Sequence, residues 1–304
     1  MQKLPLIFLI SLLCSALSGQ ISLDASYFPV PGDTLRTATA LNPGMIDIGV
    51  AGSGQTWDFS MLQADATLER AVTAASAGQG SSAFPNATLL VEQTNGAEGY
   101  YQSTENSFSI IGYFGVDPLG QGFEVSAPFS PAYVERWAPL DFLDLNGNDA
   151  ALQFDAAVED IPGNLFDGLE IVPDSIRLAV STDRTDLVDA WGTMTLPGGA
   201  SYEVLRERRL EYREVLLYAK VGGLPWFDIT TIALAALPID ELGRDTVMSY
   251  YFWSSEAKEP VAVVTSDATG ENIQSVTYKY DAEVVSATTS NRPPAEPSVR
   301  AYPN

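Results

Sequence analysis

The sequence predicts an all-β fold: an antiparallel β-sandwich or strongly curved sheet, with few short helices, and with two β lobes as the alternative to one continuous body. Three observations carry this expectation. Between Ile21 and about Asp281 the chain is a succession of short runs rich in Val, Ile, Thr, Tyr and Phe. Gly, Pro, Asn and Asp punctuate those runs, and few stretches repeat with helical period. The composition, 46% hydrophobic and 18% charged, is that of a chain that buries a core rather than one held open by charge.

In chain order, Lys3 precedes an apolar run from Leu4 to Leu17 that ends in Ser18 and Gly19, which is the layout of a secretory signal peptide over 1–19. The run is shorter than the roughly 20 apolar residues a membrane-spanning helix needs. No integral membrane segment is expected after its removal. The single cysteine, Cys14, lies inside this run, so the mature product has no thiol or disulfide. Leu13 stands where a lipoprotein signal carries a small residue, which argues against lipid anchoring.

The β-rich body spans 20–285. Trp57 and Phe59 flank Asp58 with strand alternation and read as core. Thr88–Gln93, Ser107–Phe114, Ser175–Ser181, Ser249–Trp253 and Pro260–Thr265 have strand composition and length. Pro162, Gly163, Asn164, Gly168 and Pro173 mark the candidate lobe boundary near 161–173. Trp191–Leu196 reads as a strand that turns at Pro197-Gly198-Gly199. The charged stretch Glu203–Tyr218 then reads as a long edge or solvent-faced strand in preference to a helix, and Thr230–Leu237 as the best helix candidate. Asp267, Gly270 and Asn272 supply turn chemistry for a hairpin whose second strand alternates Val276, Tyr278 and Tyr280. From 286 to 298 the chain is a Pro-rich linker, and 299–304 follow it.

Charge and missing residue types exclude several functions. A formal net charge of −23 repels nucleic acid phosphates and anionic lipid heads. Histidine is absent, which removes Ser-His-Asp and Cys-His catalysis and His-ligated zinc.

Two patterns remain as candidate chemistry. Asp144, Asn146, Asn148 and Asp149, with Asp141 and Gly147, place oxygen ligands at short spacing around a glycine, as a calcium loop would. The Asn-Gly step reads equally as a hairpin turn. For glycoside cleavage by paired carboxylates, Glu124, Glu135, Asp141, Glu159, Glu203 and Asp228 are all eligible, and no spacing singles out a pair. Gly52 and Gly54 form only a Gly-x-Gly, read as a turn rather than a phosphate cradle.

The last residues, Val299-Arg300-Ala301-Tyr302-Pro303-Asn304, resemble the opening of the type IX secretion sorting domain carried by exported Bacteroidetes proteins. Gly54-Gln55-Thr56-Trp57-Asp58-Phe59-Ser60 looks like an element frequent near the start of such proteins. Asp189-Ala190-Trp191-Gly192-Thr193 through Gly199, with Val204-Leu205-Arg206, looks like a second. The resemblance implies a truncated sorting domain from 299 onward, the type IX secretion machinery as a partner, and delivery through the periplasm to the cell surface or medium. It implies no activity.

The expectation is therefore a secreted or surface-displayed, non-catalytic protein that serves adhesion, glycan contact or envelope architecture, with an extracellular glycan or surface protein as partner. The alternative is a secreted, carboxylate-dependent polysaccharide hydrolase or lyase.

Overall fold

The computed structural model describes residues 21–41, 43–93, 96–117, 122–162, 166, 171–237 and 242–281. The expected signal peptide, linker and sorting segment lie outside these residues, as does much of 161–173.

The described residues form fourteen strands and one α-helix. The first half holds β1 (Thr34–Ala40), β2 (Gly52–Asp58), β3 (Ala66–Ala74), β4 (Leu89–Glu92), β5 (Glu98–Ser103), β6 (Ser107–Val116) and β7 (Glu124–Trp137). The second holds β8 (Leu145–Ala157), β9 (Ser175–Thr195), β10 (Ser201–Lys220), β11 (Phe227–Asp228), α1 (Thr230–Ala236), β12 (Gly243–Trp253), β13 (Ala262–Ser266) and β14 (Ile273–Lys279).

Twelve strands close into an antiparallel barrel in the order β10-β12-β13-β14-β1-β3-β4-β5-β6-β7-β8-β9, with β9 returning to β10. Strands β2 and β11 lie outside the ring. This overturns the expectation of a sandwich or an open curved sheet. Alternating patterns with regular turns fit either architecture; what distinguishes them is whether the end strands find each other. Here β9 and β10 do, and they are the longest strands, of 21 and 20 residues. The strands on either side of 161–173 are neighbours in the ring, paired from Leu145↔Leu187 to Ala157↔Ser175.

The β9–β10 hairpin forms where the Pro-Gly-Gly turn predicts it. Gly198 and Gly199 both take φ of +86°, a conformation costly for residues with a side chain. The hairpin is not an edge. β10 pairs with β9 along one side and with β12 along the other, which corrects the edge or solvent-faced reading of Glu203–Tyr218. The charged residues mid-strand fit because they are buried in ion pairs instead of facing water, Glu207 with Arg209 and Arg206 with Asp189.

Register explains this burial. On β10, Val215, Leu217 and Ala219 point inward with Ile176 and Leu178 of β9, against Phe123 and Phe154. Continuing the same parity places Arg213, Glu211, Arg209, Glu207 and Leu205 on that inner face. A bulge then intervenes: Arg206 faces Ala190 while Glu207 faces Val188, leaving Asp189 as the extra residue on β9. Around this point the wall is apolar on both faces. Val188, Leu205 and Trp253 pack inward on Tyr27, Phe28 and Phe108. Ala190, Met194, Val204 and Phe252 pack on the other face against Trp57 and Phe59. The second face explains β2, which pairs parallel to β9 outside the ring and brings Trp57 to it.

The helix predicted at Thr230–Leu237 and the hairpin between β13 and β14 are present. In that hairpin Asp267 accepts from the backbone and hydroxyl of Thr269 and from Asn272. The Asn272 and Thr269 side-chain bonds lower its carboxyl pKa to about 2.

Candidate functional site

The four residues predicted to hold calcium do not form a loop. Asn146, Asn148 and Asp149 lie on β8, an extended strand whose side chains alternate, and Asp144 immediately precedes it. Asn146 and Asn148 sit opposite the buried Asp186 and Arg184, whereas Asp149 is exposed on the other face opposite Asp183. Asn148 bonds to the backbone instead, accepting from Val134 N at 2.9 Å and donating to Ala132 O at 3.1 Å. Asp144 Oδ2 accepts from the Asp141 N–H at 2.7 Å.

The six eligible carboxylates are scattered along the chain, and only Glu124 and Glu135 share an element. Glu124 and Glu135 stand toward opposite ends of β7, and Glu135 accepts from the Tyr101 hydroxyl at 2.8 Å. Glu159 lies in a single 3₁₀ turn. Glu203 accepts from Thr193 Oγ1 on the exposed side of the hairpin. Asp228 accepts from the Thr230 N–H that opens α1.

The ionisable side chains that converge are others. Arg184 and Asp186 on β9 form a bidentate pair at 2.7 and 2.8 Å, with side chains 1% and 0% exposed. Arg209 and Glu207 on β10 form a second pair at 2.8 Å, 4% and 1% exposed, and Arg209 lies 3.8 Å from Asp186. Indole N–H groups add to the carboxylates: Trp253 donates to Glu207 Oε2 at 2.7 Å and Trp137 to Asp186 at 3.2 Å, while Glu207 Oε1 is buried without a hydrogen-bond partner among the described residues. Arg209 stacks 3.9 Å over the Tyr251 ring and Arg184 4.5 Å over Tyr133. Burial by itself pushes the Asp186 carboxyl upward, but the Arg209 and Arg184 charges outweigh it and hold the group below its usual range.

This network joins the thinnest seam of the ring among the described residues. β7 and β8 share a single backbone bridge, Phe129↔Leu152. Beside it, Arg184 donates to Val134 O and Arg209 to Glu135 O, both at 2.5 Å, and Asn148 binds the same stretch of β7. Side chains thus replace the missing ladder. Arg136, from the end of β7, is buried among aromatic rings, 4.8 Å over Trp253 and 5.4 Å over Phe108, and donates to Tyr27 O and Lys258 O. At the bulge, Arg206 pairs with Asp189 at 2.7 Å and reaches Ile48 O and Gly49 O, fastening the chain ahead of β2.

The outer wall carries a different arrangement. Four adjacent strands, β8, β9, β10 and β12, hold a trough of about 520 Å³. Register places Asp149, Asp183, Tyr212 and Thr246 in one outward row across these strands. Two residues along, Ala151, Ser181, Glu214 and Arg244 make a parallel row. The backbone between the rows is the floor. Arg244 pairs with Glu214 at 2.6 Å within the second row, whereas Arg213 and Asp245, paired at 3.4 Å, belong to the opposite face and give the trough only their backbone. Tyr212 is 53% exposed.

Of the trough residues only Asp149 stands among those picked from sequence, and of the picked residues Asn148 and Glu135 border the buried network. Asp183, Tyr212 and the buried network were missed. The signal was present: Leu205, Val215 and Leu217 share parity with Glu207, Arg209 and Glu211, so an inward apolar pattern carries the charges inward with it. Comparison with family models, with curated proteins and with solved structures gave no match.

Proposed function

We propose that this chain is an exported, non-catalytic β-barrel protein that a bacterium secretes or displays on its surface for adhesion, glycan contact or envelope architecture. A signal peptide at 1–19 and a sorting segment beginning at 299–304 would take it through the periplasm by the type IX machinery. The supporting observation is the destination of the clustered charges. Arg184, Asp186, Glu207 and Arg209 are sealed in the barrel, and both arginines are engaged by the backbone of β7. They hold a wall together and are out of reach of any substrate. A closed barrel that leaves no long unpaired ring edge open to other chains suits a protein displayed outside the cell.

One observation favours a second reading, a carboxylate-dependent hydrolase. Asp149 and Asp183 are cross-strand partners on the trough, beside Tyr212. Glycosidases do use two such groups, but the acid of the pair works from an enclosed, partly apolar site, and both aspartates stand on an open wall. The purified chain incubated with a polysaccharide panel, with and without calcium, separates the readings. Retention without new reducing ends is expected. Release of reducing ends that Asp149→Asn or Asp183→Asn abolishes would establish the hydrolase instead.

A further inference from the structure

The outer-wall trough has the chemistry of a ligand site that is separate from the sealed network. Its charges do not cancel within it. Arg244, the one cation in the two outward rows, is taken up by Glu214. Asp149 and Asp183 face one another across β8 and β9, and among the described residues neither has an ion-pair partner. Like charges directly opposite in an antiparallel pair are unfavourable. A ligand that donates hydrogen bonds to both would relieve that cost.

The neighbouring residues narrow the ligand class. Tyr212 is the direct cross-strand partner of Asp183 and presents an exposed ring in the same row, so an apolar face and two acceptors lie side by side. Ser181, Thr246 and Arg244 add donors around them. Between the rows only backbone forms the floor, and Ala151 and Ser181 keep one side low. With strands about 4.8 Å apart, four strands give a trough of roughly 14 Å, longer than a single sugar ring. A ring that offers C–H groups on one face and hydroxyl donors at its rim matches this surface. Anionic sugars do not, given the two unpaired aspartates and the net charge of −23. A metal ion fits poorly too: among the described residues no three carboxylates gather as its ligands.

We propose that the trough over β8, β9, β10 and β12 binds a short neutral oligosaccharide, with Tyr212 stacking on a sugar face and Asp149 and Asp183 accepting from its hydroxyls. The assignment rests on the glycan-contact reading above and gives that reading a place and a ligand class. The test is isothermal titration of the purified chain with neutral cello-, xylo- and malto-oligosaccharides and with anionic oligogalacturonate, reducing ends being followed in parallel. Binding of at least one neutral series is expected, with Tyr212→Ala weakening it about tenfold, the loss of one stacking contact and its hydration shield. Tyr212→Phe should retain binding, Asp183→Asn should weaken it, and oligogalacturonate should not bind. Tyr212 is exposed, so an unchanged melting temperature in Tyr212→Ala verifies the fold. Absence of neutral-sugar binding, equal binding of oligogalacturonate, or binding unaffected by Tyr212→Ala would each overturn the assignment. Reducing-end release would instead overturn the non-catalytic reading while leaving the location of the site standing.

Discussion

At the scale of single residues, the barrel depends on charges that cannot be removed singly. Arg209 holds Glu207, approaches Asp186 and donates to β7, all at 4% exposure or less. Arg209→Met leaves two buried carboxylates short of a cation, and a loss of about 3–5 kcal/mol in urea unfolding is expected. Arg209→Met combined with Glu207→Met should cost less than that single change, because it removes both halves of the pair. A double variant no more stable than Arg209→Met would show that packing, not charge, sets the cost. The same chemistry fixes pH dependence. Asp186 has a lowered folded pKa, so its contribution is present above the ordinary carboxylate range and is lost as pH falls through the folded value. Tyr27, Tyr101, Tyr133 and Tyr251 have raised pKa values, with burial the first cause in each. Their contribution is complete below the ordinary tyrosine pKa of about 10 and is lost above it. With no histidine in the chain, unfolding free energy should be nearly flat from about pH 6 to 9 and fall on both sides. A step near neutral pH would contradict this account.

At the scale of elements, two attachments deserve direct measurement. A Cβ on Gly192 would lie 1.9 Å from Gln55 O of the parallel strand β2. Gly192→Ala should therefore detach β2 from the wall and expose Trp57, which is 1% exposed and donates to Ile48 O at 2.7 Å. A red shift of tryptophan fluorescence is expected, along with a loss comparable to emptying a large aromatic site, about 3 kcal/mol or more. An unchanged spectrum would mean β2 accommodates the methyl by sliding. The second attachment is the β7–β8 seam. Asn148→Ala removes two side-chain bonds to Val134 and Ala132, and hydrogen exchange at Val134 N should accelerate well before the β9–β10 ladder does. Uniform acceleration over all strands would show instead that the seam opens only with the whole barrel.

At the scale of the whole molecule, a closed ring predicts cooperativity. Every ring strand has a neighbour on each side, and the strands flanking 161–173 are paired with one another. Calorimetry should give one transition with equal calorimetric and van't Hoff enthalpies. Two separated transitions would mean that the two halves unfold as independent lobes in spite of the shared ring. Closure also bears on the proposed role outside the cell, since a barrel exposes no long unpaired ring edge to other chains.

The sequence by itself determined the local pieces. Strand composition located β6 and β13, alternation located β14, the Pro-Gly-Gly turn located the β9–β10 hairpin, and the strand period around Trp57 marked it as core. Those are short-range consequences of side-chain period and backbone sterics, readable from neighbours in the chain. The tertiary structure alone decided that the ends of the sheet meet, that Glu203–Tyr218 lies between two partners, and that Asn146 and Asn148 belong to a strand and not a loop. The trough shows why: Asp149, Asp183, Tyr212 and Thr246 become one row only through the registers of three strand pairs. Long-range pairing depends on which strands complete one another's hydrogen bonds and buried charges, and that choice is made among residues far apart in sequence.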